Sequence, residues 1–139
     1  MPRIRSIVAA FILLSGLASV APALASSTRT FYVQTVVWVS KENPAQAKTV
    51  SKFGEVYGFA PHTLVVHKGD TVVLHIRNLE AGGDDGHTFT LPGYGINRSI
   101  SPLASVTITF SATKAGEFPF YCEFHKPWMG GELVVLPAR

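Results

Sequence analysis

The sequence contains a single cysteine, Cys122, and only two methionines, one of which is the initiator. A lone cysteine forms no internal disulfide bond, so a disulfide-stapled fold is excluded. Lysine and arginine residues form no cluster, so nucleic-acid binding has no electrostatic footprint. No segment has sustained helical periodicity, and no internal repeat is visible. The fold therefore depends on its hydrophobic core for stability. The single thiol has no second thiol in the chain with which to pair.

The first 25 residues have the pattern of a secretory signal peptide. Arg3 and Arg5 form a basic start, residues 7–20 an apolar run, and residues 23–25 (Ala-Leu-Ala) a small-residue cleavage site before Ser26. The apolar run is shorter than the ~20 residues that a membrane-spanning helix needs. We therefore expect an exported protein, periplasmic or secreted, with no stable membrane insertion after cleavage.

The remaining residues, 26–139, are expected to form a single domain. The full chain has a net charge of +3 from 12 basic and 9 acidic residues. Loss of the two N-terminal arginines leaves ten basic against nine acidic residues, a net charge of +1. The basic character thus belongs largely to the precursor.

Short apolar and β-branched runs separated by turn residues predict an all-β fold of about eight strands, a sandwich or barrel. Residues 40–51 between the first two strands are polar and are predicted to be a loop or a short helix. The predicted strands are Thr30–Val39, Gly54–Phe59, Thr63–Lys68, Thr71–Asn78, His87–Leu91, Ser105–Phe110, Glu117–Cys122 and Gly131–Leu136.

Alternation in the last but one strand places Phe118, Phe120 and Cys122 on one face, with the thiol directed inward. The other histidines of the mature chain, His62, His67 and His75, are predicted to lie at the surface. His67 and His75 have the same outward parity, which leaves a second, weak metal site open.

Four potential metal ligands stand out. Cys122, His125 and Met129 follow one another in a C-x2-H-x3-M motif, and His87 lies 35 residues before the cysteine. One thiolate, two imidazoles and a distant thioether are the ligands of a blue-copper electron-transfer site. Three other interpretations remain: an inert buried thiol, a cysteine nucleophile with a histidine base, and a zinc site.

The motif and the strand after it, residues 130–136, resemble the cupredoxins, small blue-copper proteins such as plastocyanin and amicyanin. The similarity covers residues 53–137 and implies a Greek-key sandwich or barrel. It implies one copper ion, cycling between Cu(I) and Cu(II), with His87, Cys122, His125 and Met129 as ligands. Residues 26–52 are then an N-terminal extension of one strand and a loop, which would cover the end of the barrel or form a subunit interface.

Two features depart from that pattern. Thr88 stands where many cupredoxins carry an asparagine that tethers the ligand loop. Residues 86–96 are more similar to the binuclear-copper domains of nitrous oxide reductase and cytochrome oxidase, and to nitrosocyanin. A binuclear centre needs two bridging cysteines, whereas this chain has one. A mononuclear site is therefore expected.

The resemblance implies an electron carrier, with no catalytic residues and with transient redox protein partners. Residues 92–94, Pro127 and Trp128 would form an apolar ring around His125, where the partner docks. Two other functions remain open, a periplasmic copper carrier or storage protein and a nitrosocyanin-like site that binds a small molecule.

Overall fold

The computed structural model describes residues 26–82 and 86–139, so the predicted signal peptide lies outside the described residues. These residues form nine strands and one short α-helix, with 3-10 turns at Pro44–Gln46 and Pro92–Tyr94. The elements are β1 (Thr28–Val39), α1 (Ala47–Phe53), β2 (Val56–Ala60), β3 (Thr63–His67), β4 (Thr71–Arg77), β5 (His87–Leu91), β6 (Ile96–Ile100), β7 (Ser105–Ser111), β8 (Gly116–Tyr121) and β9 (Gly130–Leu136). The predicted all-β class is confirmed, with strand ends displaced by at most two residues.

The strands form two sheets. One has the order β2-β1-β4-β7 and the other the order β3-β9-β8-β5-β6. Strand β6 was missed in the sequence because its middle residues, 97–99, are polar and exposed. It pairs only with β5, at the edge of its sheet, so it needs no alternating apolar face.

The core lies between the two sheets, and aromatic side chains fill it at the level of β5 and β8. The rings of Phe59, Phe89 and Phe120 contact one another, and each is at most 1% exposed. Leu74 of β4 is fully buried, and so is Cys122 after β8, as its parity predicts. These rings and Cys122 belong to one buried hydrophobic cluster.

Strand β1 corrects the description of residues 26–52 as an extension. It pairs with β4 in parallel and with β2 antiparallel, so it is an internal strand of its sheet. Residues 40–53 then form the 3-10 turn and α1, which has no buried residue. Among the described residues, no helix has the length and apolar character to cross a membrane.

Asp70, in the turn between β3 and β4, ties both ends of the described chain to the sandwich. Its carboxylate accepts hydrogen bonds from the backbone N–H of His67 (3.0 Å) and Ser27 (3.3 Å). The guanidinium groups of Arg29 and Arg139 lie 3.4 and 3.7 Å from it. Although its burial opposes ionisation, the bonds from His67 and Ser27 and the two arginines hold the pKa of Asp70 below its ordinary value.

Candidate metal centre

The predicted ligands meet at one end of the second sheet. His87 begins β5, Cys122 directly follows β8, and Met129 directly precedes β9. Because β8 and β9 pair antiparallel, the loop between them closes on itself: Cys122 N–H donates to Met129 O at 2.9 Å. Inside the loop, Met129 N–H donates to His125 O at 3.0 Å. The spacing of the motif thus fits one tight turn.

Three donor atoms converge there. His87 Nδ1 and His125 Nδ1 lie 3.2 Å apart, and Cys122 Sγ lies 3.4 Å from the second and 3.9 Å from the first. A metal ion with bonds of about 2.0 Å to nitrogen and about 2.3 Å to sulfur in a trigonal plane needs such donors about 3.5–3.7 Å apart. The triangle fits a metal ion, and its donors suit copper.

The surroundings of the thiol favour its ionised form. Burial raises the pKa of Cys122, but hydrogen bonds from His87, from the backbone N–H groups of Thr88 and Phe124, and from His125 lower it to about 6. The Thr88 N–H lies 3.3 Å from the sulfur. At neutral pH the metal-free site therefore holds the thiolate that metal binding requires.

Thr88 also supplies the tether that an asparagine supplies in many cupredoxins. Its hydroxyl oxygen accepts a hydrogen bond of 2.8 Å from the backbone N–H of Glu123, the residue after the thiolate. Its own N–H reaches the sulfur of Cys122. One residue of β5 thus fixes the start of the ligand loop through both its backbone and its side chain.

Met129 is fully buried at the base of the loop. Its backbone is fixed by Cys122 and His125, which places the residue beside the three donors. Coordination by its thioether stays a prediction. Sulfur of this kind suits the cuprous state, in which a soft ligand is preferred.

The two imidazoles differ in exposure. His87 is 1% exposed, whereas His125 is only partly buried and lies on the outer side of the loop. Beside His125, the side chains of Phe124 and Trp128 are 66% and 53% exposed. Trp128 therefore lies at the surface where the sequence analysis places it.

The apolar ring expected around His125 is only partly correct. Residues 92–94 lie at the opposite end of β8, where Gly93 packs against Phe118 and the Tyr94 hydroxyl donates to Lys114 O. The prediction was wrong because β5 begins at the metal centre and runs away from it. The exposed aromatic residues beside His125 are Phe124 and Trp128, and both lie in the loop between Cys122 and Met129.

Two residues of the centre escaped the sequence analysis. Tyr57 of β2 is 5% exposed, and its ring centroid lies 4.4 Å from that of His125 and 5.1 Å from that of His87. Glu80, in the loop after β4, has an oxygen 3.2 Å from His87 Nε2. Neither lies in the Cys122 motif, and no local spacing links them to it.

The remaining histidines do not form a second site of this kind. His67 lies on β3 and His75 on β4, which belong to different sheets. The His75 ring stacks on Tyr32, and His67 Nδ1 contacts Arg139. Among residues 26–82 and 86–139, the three donors described above are the one group of three metal-ligating His, Cys, Asp or Glu side chains.

Comparison with known proteins agrees with this geometry. A family model described as a cupredoxin-like domain matches residues 10–135. The nitrous-oxide reductase of Cupriavidus necator is 34% identical over 74 residues, which are 53% of this chain and 12% of that protein. The chain thus spans about an eighth of the length of this curated relative.

Solved structures share the fold. The metal-binding domain of the Cu(I)-exporting P-type ATPase CopA from Streptococcus pneumoniae D39 has a TM-score of 0.55 at 16% identity, covering 82% of this chain and 91% of that one. Auracyanin A, a blue copper protein from Chloroflexus aurantiacus, has a TM-score of 0.52 at 20% identity, covering 78% and 98%.

Proposed function

This chain belongs to the cupredoxin-like domain family, and from that premise we propose that it is an exported mononuclear type 1 copper protein that shuttles single electrons between redox partners. One observation carries the proposal. Two imidazole nitrogens and a thiolate sulfur converge within 4.8 Å of one another, with His87 and Cys122 buried and His125 partly buried. With the signal peptide of residues 1–25 removed, residues 26–139 would be the working domain.

His87, Cys122 and His125 would hold one copper ion, with the Met129 thioether as a fourth, weaker ligand. When bound there, copper supplies a one-electron couple between Cu(I) and Cu(II). The chain supplies the rest. Backbone N–H groups of Thr88 and Phe124 point at the sulfur and stabilise its negative charge, and the buried hydrophobic cluster around Cys122 keeps water from the sulfur. A rigid, dry site changes little between the two charge states.

Electrons would enter and leave through His125, since it is the more exposed of the two imidazoles. Phe124 and Trp128 provide an apolar surface around it, which suits brief contact with a partner protein. Lys126 and Glu123 form an ion pair of 2.6 Å beside this surface. A small apolar patch with a balanced charged rim favours fast release over tight binding.

A copper carrier is the second candidate. The CopA domain that shares this fold was solved with Cu(I), and the same donors could pass the metal on. The burial of the site favours retention of the metal instead, because Cys122, His87 and Met129 are each at most 1% exposed.

An enzymatic or small-molecule site needs a free coordination position, which a bound Met129 thioether would occupy. The chain covers about an eighth of nitrous-oxide reductase, so the similarity does not extend to the activity of that protein.

The decisive experiment is repeated reduction and reoxidation of copper-loaded protein, residues 26–139, followed by cyclic voltammetry and metal analysis. We expect a reversible one-electron wave and one copper ion per chain throughout. Loss of copper to a Cu(I) chelator during the reduced phase would favour the copper-carrier function. A spectral change on addition of nitric oxide or azide would favour a site with a free coordination position that binds small molecules. Either result would contradict the electron carrier.

A further inference from the structure

His87 has two ring nitrogens, and only one of them faces the metal centre. Nδ1 lies 3.9 Å from Cys122 Sγ, whereas Nε2 points away and lies 3.2 Å from Glu80 Oε2. The side chains of His87 and Glu80 are 0% and 8% exposed, so the contact is dry. We propose that Glu80 is a positioning residue that fixes the tautomer, orientation and donor strength of His87, an inference that rests on the copper site proposed above.

A neutral imidazole carries one proton, on either nitrogen. A carboxylate accepts hydrogen bonds and does not donate them, so Glu80 favours a proton on Nε2. A bound metal ion would occupy Nδ1, the atom that faces Cys122 and His125 and that donates to the thiolate in the metal-free protein. Because Glu80 contacts the remote nitrogen, it is not itself a ligand.

Glu80 is held at each of its polar groups. Its N–H donates to Asn78 Oδ1 at 3.0 Å, and its carbonyl accepts from Leu103 N–H at 3.0 Å. Its carboxylate also accepts a short hydrogen bond from the hydroxyl of Thr35, a residue with 0% exposure. Leu103 has a φ of 58°, a conformation that non-glycine residues seldom adopt. The backbone contacts through Asn78 and Leu103 and the side-chain contact with Thr35 together hold the Glu80 carboxylate beside His87.

The consequence is a difference between the two copper states. A carboxylate on the remote N–H makes imidazole a stronger donor, and partners of this kind are typically worth about 10-fold to 100-fold in metal affinity. Cu(II) prefers imidazole more than Cu(I) does, so the gain belongs mainly to Cu(II). Glu80 therefore lowers the reduction potential of the site.

The test compares wild-type protein with Glu80→Gln, which keeps the size and removes the charge. Glu55→Gln is the matched control, since Glu55 lies at the same end and contacts Tyr57 and Lys41 but no metal donor atom. The affinities for Cu(II) and for Cu(I) are both measured by competition with a chelator, and the reduction potential is measured by voltammetry. We expect Glu80→Gln to lose at least about tenfold in Cu(II) affinity with Cu(I) affinity little changed. Each tenfold difference raises the potential by about 59 mV.

A second measurement needs no metal. Nitrogen-15 NMR of the metal-free protein reports directly whether His87 Nε2 carries a proton, and we expect that proton in wild type and its partial loss in Glu80→Ala. An unchanged potential and an unchanged protonation of Nε2 in the Glu80 variants would overturn the inference and leave the copper site standing. A wild-type protein that takes up no copper would overturn the proposed function instead, and the protonation of Nε2 would still decide the role of Glu80.

Discussion

Replacing Cys122 with serine should remove a pH-dependent part of the stability of the metal-free protein. Hydrogen bonds from His87, Thr88, Phe124 and His125 outweigh the burial of the thiol and lower its pKa from 9.0 to about 6. Between these two values the unfolded chain binds a proton at Cys122 that the folded chain has released. Stability therefore rises with pH across this window.

The size of the effect follows from the pKa. Each pKa unit corresponds to about 1.36 kcal/mol, so the fall from 9.0 to about 6 is worth about 4 kcal/mol. This contribution is fully present above pH 9 and is lost as the pH falls to 6. Serine does not ionise in this range, so the Cys122→Ser variant should lack this rise.

The assay is urea unfolding of both proteins at four values between pH 6 and pH 9, with chelator and a thiol reductant present. The difference in free energy of unfolding between wild type and variant cancels titrations that the two proteins share. Ultraviolet absorbance of the thiolate gives an independent midpoint. A constant difference between the proteins, or a thiolate midpoint near that of free cysteine, would refute the electrostatic reasoning.

Three further predictions concern stability. Gly131→Ala should cost about 3 kcal/mol or more in urea unfolding, because its Cβ would lie 2.2 Å from the backbone oxygen of His62. Gly58→Ala is the control with a smaller cost, since the nearest atoms to its Cβ would belong to the half-exposed ring of Trp38 and not to the backbone, and equal costs would contradict the clash. Asp70→Asn should lower the free energy of unfolding at neutral pH. Because the pKa of Asp70 is lowered in the folded protein, the difference in free energy of unfolding between wild type and variant should shrink as the pH falls below about 4. A difference that stays constant in acid unfolding would contradict this. Copper at 100 times its dissociation constant should raise the free energy of unfolding by about 2.7 kcal/mol, and no rise in the melting temperature would exclude binding to the folded state.

Much of the fold was predictable because alternation along single strands reports which face is buried. The parity of β8 places Phe120 and Cys122 inward, and the structure confirms both. Strand β6 was not predictable in this way, since an edge strand with polar residues at 97–99 carries no such signal. The central position of β1 depends on pairing with β4, more than forty residues away, which local sequence does not encode.

The candidate site divides in the same way. Cys122, His125 and Met129 are close in sequence, so one loop brings them together, and their chemistry identifies His87 as the missing partner. Glu80 meets His87 through a loop whose shape depends on distant hydrogen bonds, so its role becomes visible only in the folded chain. Residues 92–94 were misplaced because the direction of β5 relative to the centre is a property of the sheet.

The central claim is that His87, Cys122 and His125 hold copper in a trigonal thiolate site. The most direct measurement is the visible and electron-paramagnetic spectrum of residues 26–139 titrated with Cu(II), beside the Cys122→Ser variant. We expect an intense blue absorption and narrow copper hyperfine splitting at one equivalent, both absent from the variant. A colourless complex, or a red or green one with a strong fourth ligand, would contradict it.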